Sequence, residues 1–119
     1  MFYVKKVFRS FRNAATGLRE AYKRDLSFRM EIAAGFFFIL IGITFWPLDN
    51  FELALFILSY VLVLMGELIN TSIEEALEHL HPHGHERIGI SKDIASAAVF
   101  IAVLFAVFSV VLVAYRHLV

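Results

Sequence analysis

The chain has no cysteine, only two prolines and six glycines, and few charged residues. The absence of cysteine excludes a disulfide scaffold, a thiolate metal site and a cysteine nucleophile. Charged residues make up 18% of the 119 residues and hydrophobic residues 60%, a balance typical of an integral membrane protein. The 11 basic residues match 11 acidic ones, so the net charge favours neither nucleic acid nor an acidic partner. This length leaves no room for a large soluble enzyme.

Three apolar runs, at residues 32–46, 51–69 and 94–114, predict three transmembrane helices. The first run ends at Pro47, which is a helix-stop signal. The third run has 21 residues without a charge, enough to cross about 30 Å of hydrocarbon. We therefore predict an all-α integral membrane protein with a single domain over residues 1–119. Its transmembrane helices should span about 29–47, 51–80 and 92–115.

The N-terminal segment predicts an amphipathic interfacial helix over about residues 1–28. Its apolar residues keep the spacing of one helical face, and most of its basic residues lie off that face. The apolar face comprises Val4, Val7, Phe8, Phe11, Ala15, Leu18 and Tyr22. Such a helix lies in the headgroup plane, held by apolar burial and by anionic lipid.

The distribution of lysine and arginine predicts the orientation in the membrane. Eight of these residues precede the first apolar run, and the loop before the third run adds Arg87 and Lys92. The remaining one, Arg116, is in the C-terminal tail. Because cytoplasmic segments are enriched in lysine and arginine, we expect the N-terminus in the cytoplasm and the C-terminus outside.

A polar stripe continues the second apolar run. At about 100° per residue, Glu67, Asn70, Glu74 and Glu78 fall within an arc of roughly 80° on one helix face. An ionised carboxylate near hydrocarbon costs a few kcal/mol, so such a cluster needs cations, a metal or an aqueous cleft. Two structural interpretations stay open: the stripe is the solvated end of a helix, or it pairs with Arg29 or Lys92. They fit Glu67 least, since apolar residues surround it.

The start of the third transmembrane helix adds groups suited to phosphate. Ser91 is a candidate N-cap with Asp93 in the first turn, and a helix N-terminus beside Lys92 favours an anion. Asp25 and Glu31 are expected at the same membrane face. Acidic groups with a lysine indicate Mg²⁺ bound with a polyphosphate. No Walker A motif or nucleophile elbow is present.

The pattern E-x-x-N-[ST]-x-[IV]-E at Glu67–Glu74, followed eighteen residues later by Lys92-Asp93, resembles the prokaryotic diacylglycerol kinase family. The stretch around Arg19, then Asp25 and Glu31, is also similar to that family. The resemblance implies a bacterial inner-membrane homotrimer whose active sites form between subunits. It implies transfer of the γ-phosphate of ATP, with Mg²⁺, to diacylglycerol, giving phosphatidate. Undecaprenol, the acceptor of the family's other branch, stays an alternative.

The resemblance also implies roles for individual residues. Glu67 matches the general base, with Asn70 as its polar partner. Magnesium ligation is implied for Glu74 and Asp25, although family members usually carry Glu where this chain has Asp25. The nucleotide-binding residues implied in this way are Lys92, Asp93, Glu31 and Arg19.

A histidine-rich loop supports an interpretation from a different class. Four of the five histidines, His79, His81, His83 and His85, occupy alternate positions before the third transmembrane helix. Alternating histidines bind Zn²⁺ or Ni²⁺ in other proteins, so a metal-binding membrane module or transporter is the competing hypothesis. Pro82 and Gly84 instead favour a polar turn.

Overall fold

The computed structural model describes all residues, Met1–Val119. Four α-helices follow one another along the chain: α1 (Phe2–Arg24), α2 (Leu26–Thr44), α3 (Asn50–Leu80) and α4 (Glu86–Leu118). There are no strands, and α2, α3 and α4 are each long and apolar enough to cross a membrane. The predicted all-α class with three transmembrane helices is confirmed.

Two of the three transmembrane helices are longer than a bilayer requires. The lengths are 19 residues for α2, 31 for α3 and 33 for α4, whereas crossing the hydrocarbon takes about 20. The end that holds the α2–α3 connection and the C-terminus is called the hairpin end, and the opposite end is called the polar end. Counting about 20 residues from the hairpin end brings Asp25, Ile69 and Val99 to one level. The remaining turns of α3 and α4 therefore project beyond the apolar layer.

The largest departures from the predicted helix boundaries are at the end of α1 and at the start of α4. α1 ends at Arg24 because Asp25 has an extended backbone and caps α2, accepting a hydrogen bond from the Ser27 N–H at 2.9 Å. α4 begins at Glu86, where His85 is the N-cap and its Nδ1 accepts from the Arg87 N–H at 3.0 Å. The prediction that Ser91 caps this helix, with Asp93 in the first turn, is therefore wrong.

Small residues allow α3 and α4 to approach closely. Ser59 and Ser109 are fully buried, and each donates its hydroxyl to a carbonyl of its own helix, at 3.0 and 2.9 Å. This internal hydrogen bond satisfies the hydroxyl without a polar partner in the neighbouring helix. Gly66 lies against Val99, since an added β-carbon would sit 3.8 Å from the Val99 Cα. The pairing of α3 with α4 is the frame against which α2 is held.

Two side-chain contacts join α3 to α4 at the hairpin end. Asp49 is the N-cap of α3 and forms a capping box with Glu52. Arg116 Nη2 lies 3.0 Å from Asp49 Oδ2, and His117 Nε2 lies 2.8 Å from Glu52 Oε2. The Glu52 side chain is 4% exposed, so this contact is shielded from solvent. These contacts fix the start of α3 against the end of α4.

We expect acidification to weaken the hairpin end through Asp49. The hydrogen bond from the Glu52 N–H and the charge of Arg116 hold the pKa of Asp49 below its usual value, although burial opposes this. Its stabilising effect is therefore complete above the unfolded-state pKa of about 4 and is lost as pH falls through the folded-state pKa. Thermal unfolding of detergent-solubilised protein between pH 7 and pH 3 measures this loss.

Asp49→Asn is the matched control, because asparagine still caps a helix but cannot titrate. The variant should have a lower melting temperature than the wild type at pH 7 and a smaller decrease on acidification. Equal decreases in both proteins would show that Asp49 contributes nothing to the pH dependence.

Candidate active site

A polar cleft of about 320 Å³ lies at the polar end between α2, α3 and α4. Side chains from all three helices line it, and most of them are acidic or carry an amide or hydroxyl group. They include Asp25, Ser27, Glu31, Glu67, Asn70, Glu74 and Ser96. The cleft therefore brings together five of the site residues predicted from the sequence. They are the predicted catalytic residues Glu67 and Asn70, the predicted magnesium ligands Glu74 and Asp25, and Glu31.

The α3 stripe supplies the buried part of the cleft. Glu67 is 4% exposed and Asn70 is 8% exposed, one turn apart on the same helix face. Asn70 Nδ2 donates to Glu74 Oε1 at 3.3 Å, which orients the amide. The Asn70 Oδ1 atom is buried without a hydrogen-bond partner. An unsatisfied buried oxygen is costly in an unliganded protein, and it is an acceptor available to a bound group.

Asp25 occupies the junction between α1 and α2 and faces α3 across the cleft. Its Oδ1 accepts from the Ser27 N–H, and its Oδ2 accepts a hydrogen bond from the Thr71 hydroxyl. Burial disfavours the charged form, but hydrogen bonds from the Thr71 hydroxyl and from backbone N–H groups hold the pKa of Asp25 below its usual value. Asp25 is therefore a preorganised carboxylate at neutral pH.

Two arginines fix α1 to the body of the protein beside the cleft. Arg29 donates to the carbonyl oxygens of Tyr22 and Lys23 at 2.6 and 3.1 Å, capping the C-terminal end of α1. Arg24 pairs with Glu20 within α1 at 2.9 Å and with Glu75 of α3 at 3.3 Å. The last turn of α1 is thereby held close to the Asp25 carboxylate.

The predicted nucleotide-side residues other than Glu31 lie outside the cleft. Lys92 Nζ pairs with Glu78 Oε1 at 2.9 Å. Since Lys92 precedes the cleft residue Ser96 by one helical turn, it lies towards the rim at the polar end. Asp93 is exposed on α4, and Arg19 is exposed on α1. The interpretation of the stripe as a solvated helix end agrees with the exposure of Glu78, and Glu78 and the nearby Glu75 both take part in these surface ion pairs.

The sequence reasoning missed two residues that hold the site together. Thr71 anchors Asp25, and its only signal was its place in the motif beside Asn70. The other is Arg29, for which the sequence predicts a pairing with the acidic stripe, whereas the side chain caps α1. Both contacts join different helices, so periodicity along one helix does not reveal them.

The donor set of the cleft fits a magnesium ion that arrives with a phosphate ligand. No three His, Asp or Glu side chains form a group that could hold a metal ion by themselves. Magnesium is usually held by one or two carboxylates together with phosphate oxygens and water, and not by a closed protein cage. Open carboxylates beside the unpartnered Asn70 Oδ1 match that requirement.

The histidine loop does not form a metal centre of this kind. The loop residues are exposed, and the His81 and His85 rings lie 6.1 Å apart between their centroids. His85 uses Nδ1 to cap α4. The contacts of the loop support a polar turn that begins the last transmembrane helix.

The fold and the cleft define a small helical membrane protein with an acidic site at the boundary of its apolar layer. A family model described as prokaryotic diacylglycerol kinase matches residues 12–114. The diacylglycerol kinase of Escherichia coli (strain K12) is 33% identical over 101 residues, covering 85% of this chain and 82% of that protein. The diacylglycerol kinase of Haemophilus influenzae (strain Rd) is 38% identical over 87 residues, covering 72% of each chain. That of Helicobacter pylori (strain 26695) is 32% identical over 101 residues, 85% of this chain and 78% of its own length.

The chain belongs to the prokaryotic diacylglycerol kinase family. It is a lipid kinase and a bacterial membrane protein, as the resemblance of its motifs predicted. Membership of this family argues against the competing transporter hypothesis.

Replacing Thr71 with valine should impair the site, because it removes the hydroxyl that stabilises the charged form of Asp25 while keeping the side-chain shape. A hydrogen bond to a charged group contributes about 1.5–3 kcal/mol, so we expect a loss of about tenfold or more in lipid phosphorylation at neutral pH. Transfer of labelled phosphate to lipid in mixed micelles measures it. Thr71→Ser keeps the hydroxyl and should stay within about threefold of the wild type. A Thr71→Val protein as active as the serine variant would contradict the role given to this hydrogen bond.

Proposed function

We propose that the protein transfers the γ-phosphate of MgATP to the hydroxyl of diacylglycerol, giving phosphatidate. One observation carries this proposal beyond family membership. Glu31 lines both the polar cleft and an apolar groove of about 290 Å³ between α2, α3 and α4. The groove is otherwise walled mostly by valines, including Val63, Val103 and Val107. A carboxylate at the junction of an acidic cleft and an apolar groove suits a molecule with one hydroxyl head and a hydrocarbon chain.

Glu67 is the proposed general base. It is nearly enclosed, faces the other carboxylates of the cleft and lies at the level where the apolar layer ends. Its carboxylate takes the proton of the lipid hydroxyl as that oxygen forms a bond to the γ-phosphorus. The bond between the γ-phosphorus and its bridging oxygen breaks, and ADP leaves with the electron pair. Asn70 holds the base region in place through its contact with Glu74.

Glu74 and Asp25 are the proposed magnesium ligands. They line the cleft from α3 and from the α2 cap, and the bound ion would neutralise charge on the phosphates. Lys92 is suited to bind phosphate oxygens from the rim of the cleft, after exchanging its Glu78 partner for the nucleotide. Asp93 and Arg19 complete the proposed nucleotide side, on the resemblance alone. The resemblance implies nucleotide binding for Glu31 as well, but its place at the junction with the apolar groove favours a role towards the lipid.

Diacylglycerol is the proposed acceptor because the curated relatives carry that name. Undecaprenol stays the second candidate, since the apolar lining of the groove suits the hydrocarbon chain of either lipid. Assaying both lipid alcohols side by side with the same protein separates them. A higher kcat/KM for undecaprenol would contradict the proposed acceptor and leave the kinase assignment intact.

A homotrimer with active sites between subunits is part of the proposal. Only 13 of the 119 residues are buried within one chain, and large apolar side chains are exposed on every helix. The Arg19, Lys92 and Asp93 side chains lie outside the cleft, so a neighbouring subunit is a natural source of further contacts. Association is expected on these grounds, whereas the number three comes from the resemblance.

We place the polar end in the cytoplasm of a bacterial inner membrane, with the C-terminus outside, because ten of the eleven lysines and arginines flank that end. The chain has no cysteine, so single cysteines introduced at Ser10 and Val119 can report the orientation. In intact cells a membrane-impermeant maleimide should label position 119 and not position 10. The reverse pattern would place the active site on the side that lacks ATP.

Glu67→Gln should abolish turnover while leaving the fold intact, since glutamine has the same shape but cannot accept the proton. General-base removal costs about 10²- to 10⁴-fold, measured as labelled phosphate transferred from ATP to diacylglycerol. Glu86→Gln is the control, because this carboxylate is exposed at the start of α4 and outside the cleft. Wild-type activity in Glu67→Gln would refute the assignment of the base.

A second control addresses the histidine loop. Replacing His79, His81 and His83 by glutamine and His85 by asparagine, which can still cap α4, removes all four imidazoles. The kinase should keep its activity, and loss of activity would favour the metal-binding interpretation.

A further inference from the structure

Tyr60 makes the hydrogen bond that joins α2 to α3 beside the site. Its hydroxyl donates to the Glu31 carbonyl oxygen at 3.0 Å and lies 3.4 Å from the Ile32 carbonyl oxygen. A carbonyl oxygen has two lone pairs, so the Glu31 oxygen can accept this bond in addition to its bond within α2. The Tyr60 ring also packs on Phe38, with 5.8 Å between centroids. Tyr60 therefore contacts both the backbone and a side chain of α2.

Gly35 provides the space for this hydroxyl. A β-carbon added at Gly35 would lie 2.8 Å from Tyr60 Cζ and closer still to its oxygen, so any side chain at this position would displace the tyrosine. Gly35 stands one turn after Glu31 on α2, and it is buried. A glycine inside a helix costs about 1 kcal/mol relative to alanine, so its presence calls for a packing reason. Close approach of the tyrosine provides one.

The hydrogen bond stands in a defined relation to the cleft. Tyr60 precedes Glu67 by seven residues, which places the two side chains on the same face of α3, two turns apart. Glu31 accepts the Tyr60 hydrogen bond with its carbonyl oxygen, and its side-chain carboxylate lies at the junction of the cleft and the valine-lined groove. Asp25, by contrast, is anchored by Thr71 independently of Tyr60. The position of Glu31 in the cleft thus depends on the Tyr60 hydrogen bond, whereas the position of the proposed magnesium ligand Asp25 does not.

We propose that Tyr60 is a positioning residue for the lipid substrate: its hydrogen bond to the Glu31 carbonyl fixes the register of α2 on α3 and keeps the Glu31 carboxylate where the lipid head meets Glu67. The proposal rests on the proposed function of the cleft. Tyr60 acts through Glu31 and α2 and takes no part in the chemistry. Loss of the Tyr60 hydroxyl should therefore lower kcat/KM for the lipid substrate and leave nucleotide binding unchanged.

Tyr60→Phe removes the hydroxyl and keeps the ring. We expect kcat/KM for the lipid alcohol to fall about five- to tenfold, as for the loss of one hydrogen bond, with KM for ATP unchanged within about twofold. Ser59→Ala is the matched control, because it also removes one hydrogen bond between a side-chain hydroxyl and a backbone carbonyl, but one confined to α3. That variant should stay within about twofold of the wild type in both parameters. A Tyr60→Phe protein with normal lipid kinetics, or with an equal loss towards ATP, would overturn the proposal.

A double-mutant cycle tests the contact with Gly35. Gly35→Ala should displace the tyrosine and reproduce the lipid defect of Tyr60→Phe. In a Tyr60→Leu background, which removes the colliding ring atoms, the same substitution should cause no more than about a twofold further loss. Equal losses in both backgrounds would show that the two residues are not coupled.

A distance measurement tests the register without requiring activity. Spin labels on cysteines introduced at the exposed positions Leu40 of α2 and Leu58 of α3 report the separation of the helices. Labelled chains are diluted with an excess of unlabelled chains so that only distances within one chain contribute. Wild type and Ser59→Ala should give one narrow distance distribution, and Tyr60→Phe a shifted or broader one. An unchanged distribution in Tyr60→Phe would refute the register claim. Absence of lipid phosphorylation by the wild type would instead refute the proposed function, and the distances would still decide the structural claim.

Discussion

Carboxylates at the edge of the hydrocarbon layer constrain the rest of this structure. A charge at that depth is costly unless water, hydrogen bonds or counter-ions hold it, and Glu67 is almost fully enclosed at the point where α3 leaves the apolar layer. The protein meets this requirement by bringing the N-terminus of α2 and the turn of α4 around Ser96 to the same level. The cleft is thus a direct result of helix lengths and of where each helix begins.

The contacts that shape the cleft divide into two independent sets. Thr71 and the backbone of Ser27 hold Asp25 on the side suited to magnesium and nucleotide. Tyr60 holds α2 at Glu31, on the side that opens to the apolar groove. A kinase must bind a highly charged nucleotide and an apolar alcohol at adjoining points. Separate anchors allow each half of such a site to be adjusted without disturbing the other.

Periodicity along one helix was enough to find the stripe of Glu67, Asn70 and Glu74, because helical geometry alone places these residues on one face. The three transmembrane helices followed from composition and run length. The contact of Thr71 with Asp25 and that of Tyr60 with Gly35 could not be found in this way, since each depends on how one helix is rotated and shifted against another. The prediction of an N-cap at Ser91 is wrong for a different reason. A serine before a charged pair satisfies the local rule for a cap, but His85 satisfies it six residues earlier, and the helix continues through Ser91.

Asp25 ends α1, caps α2 and contributes a carboxylate to the cleft, all with one residue. The amphipathic helix that precedes it carries a basic, aromatic-rich surface and buries only Ala21. Because Asp25 alone joins α1 to α2, any displacement of α1 reaches the cleft through the residue that carries one of its carboxylates.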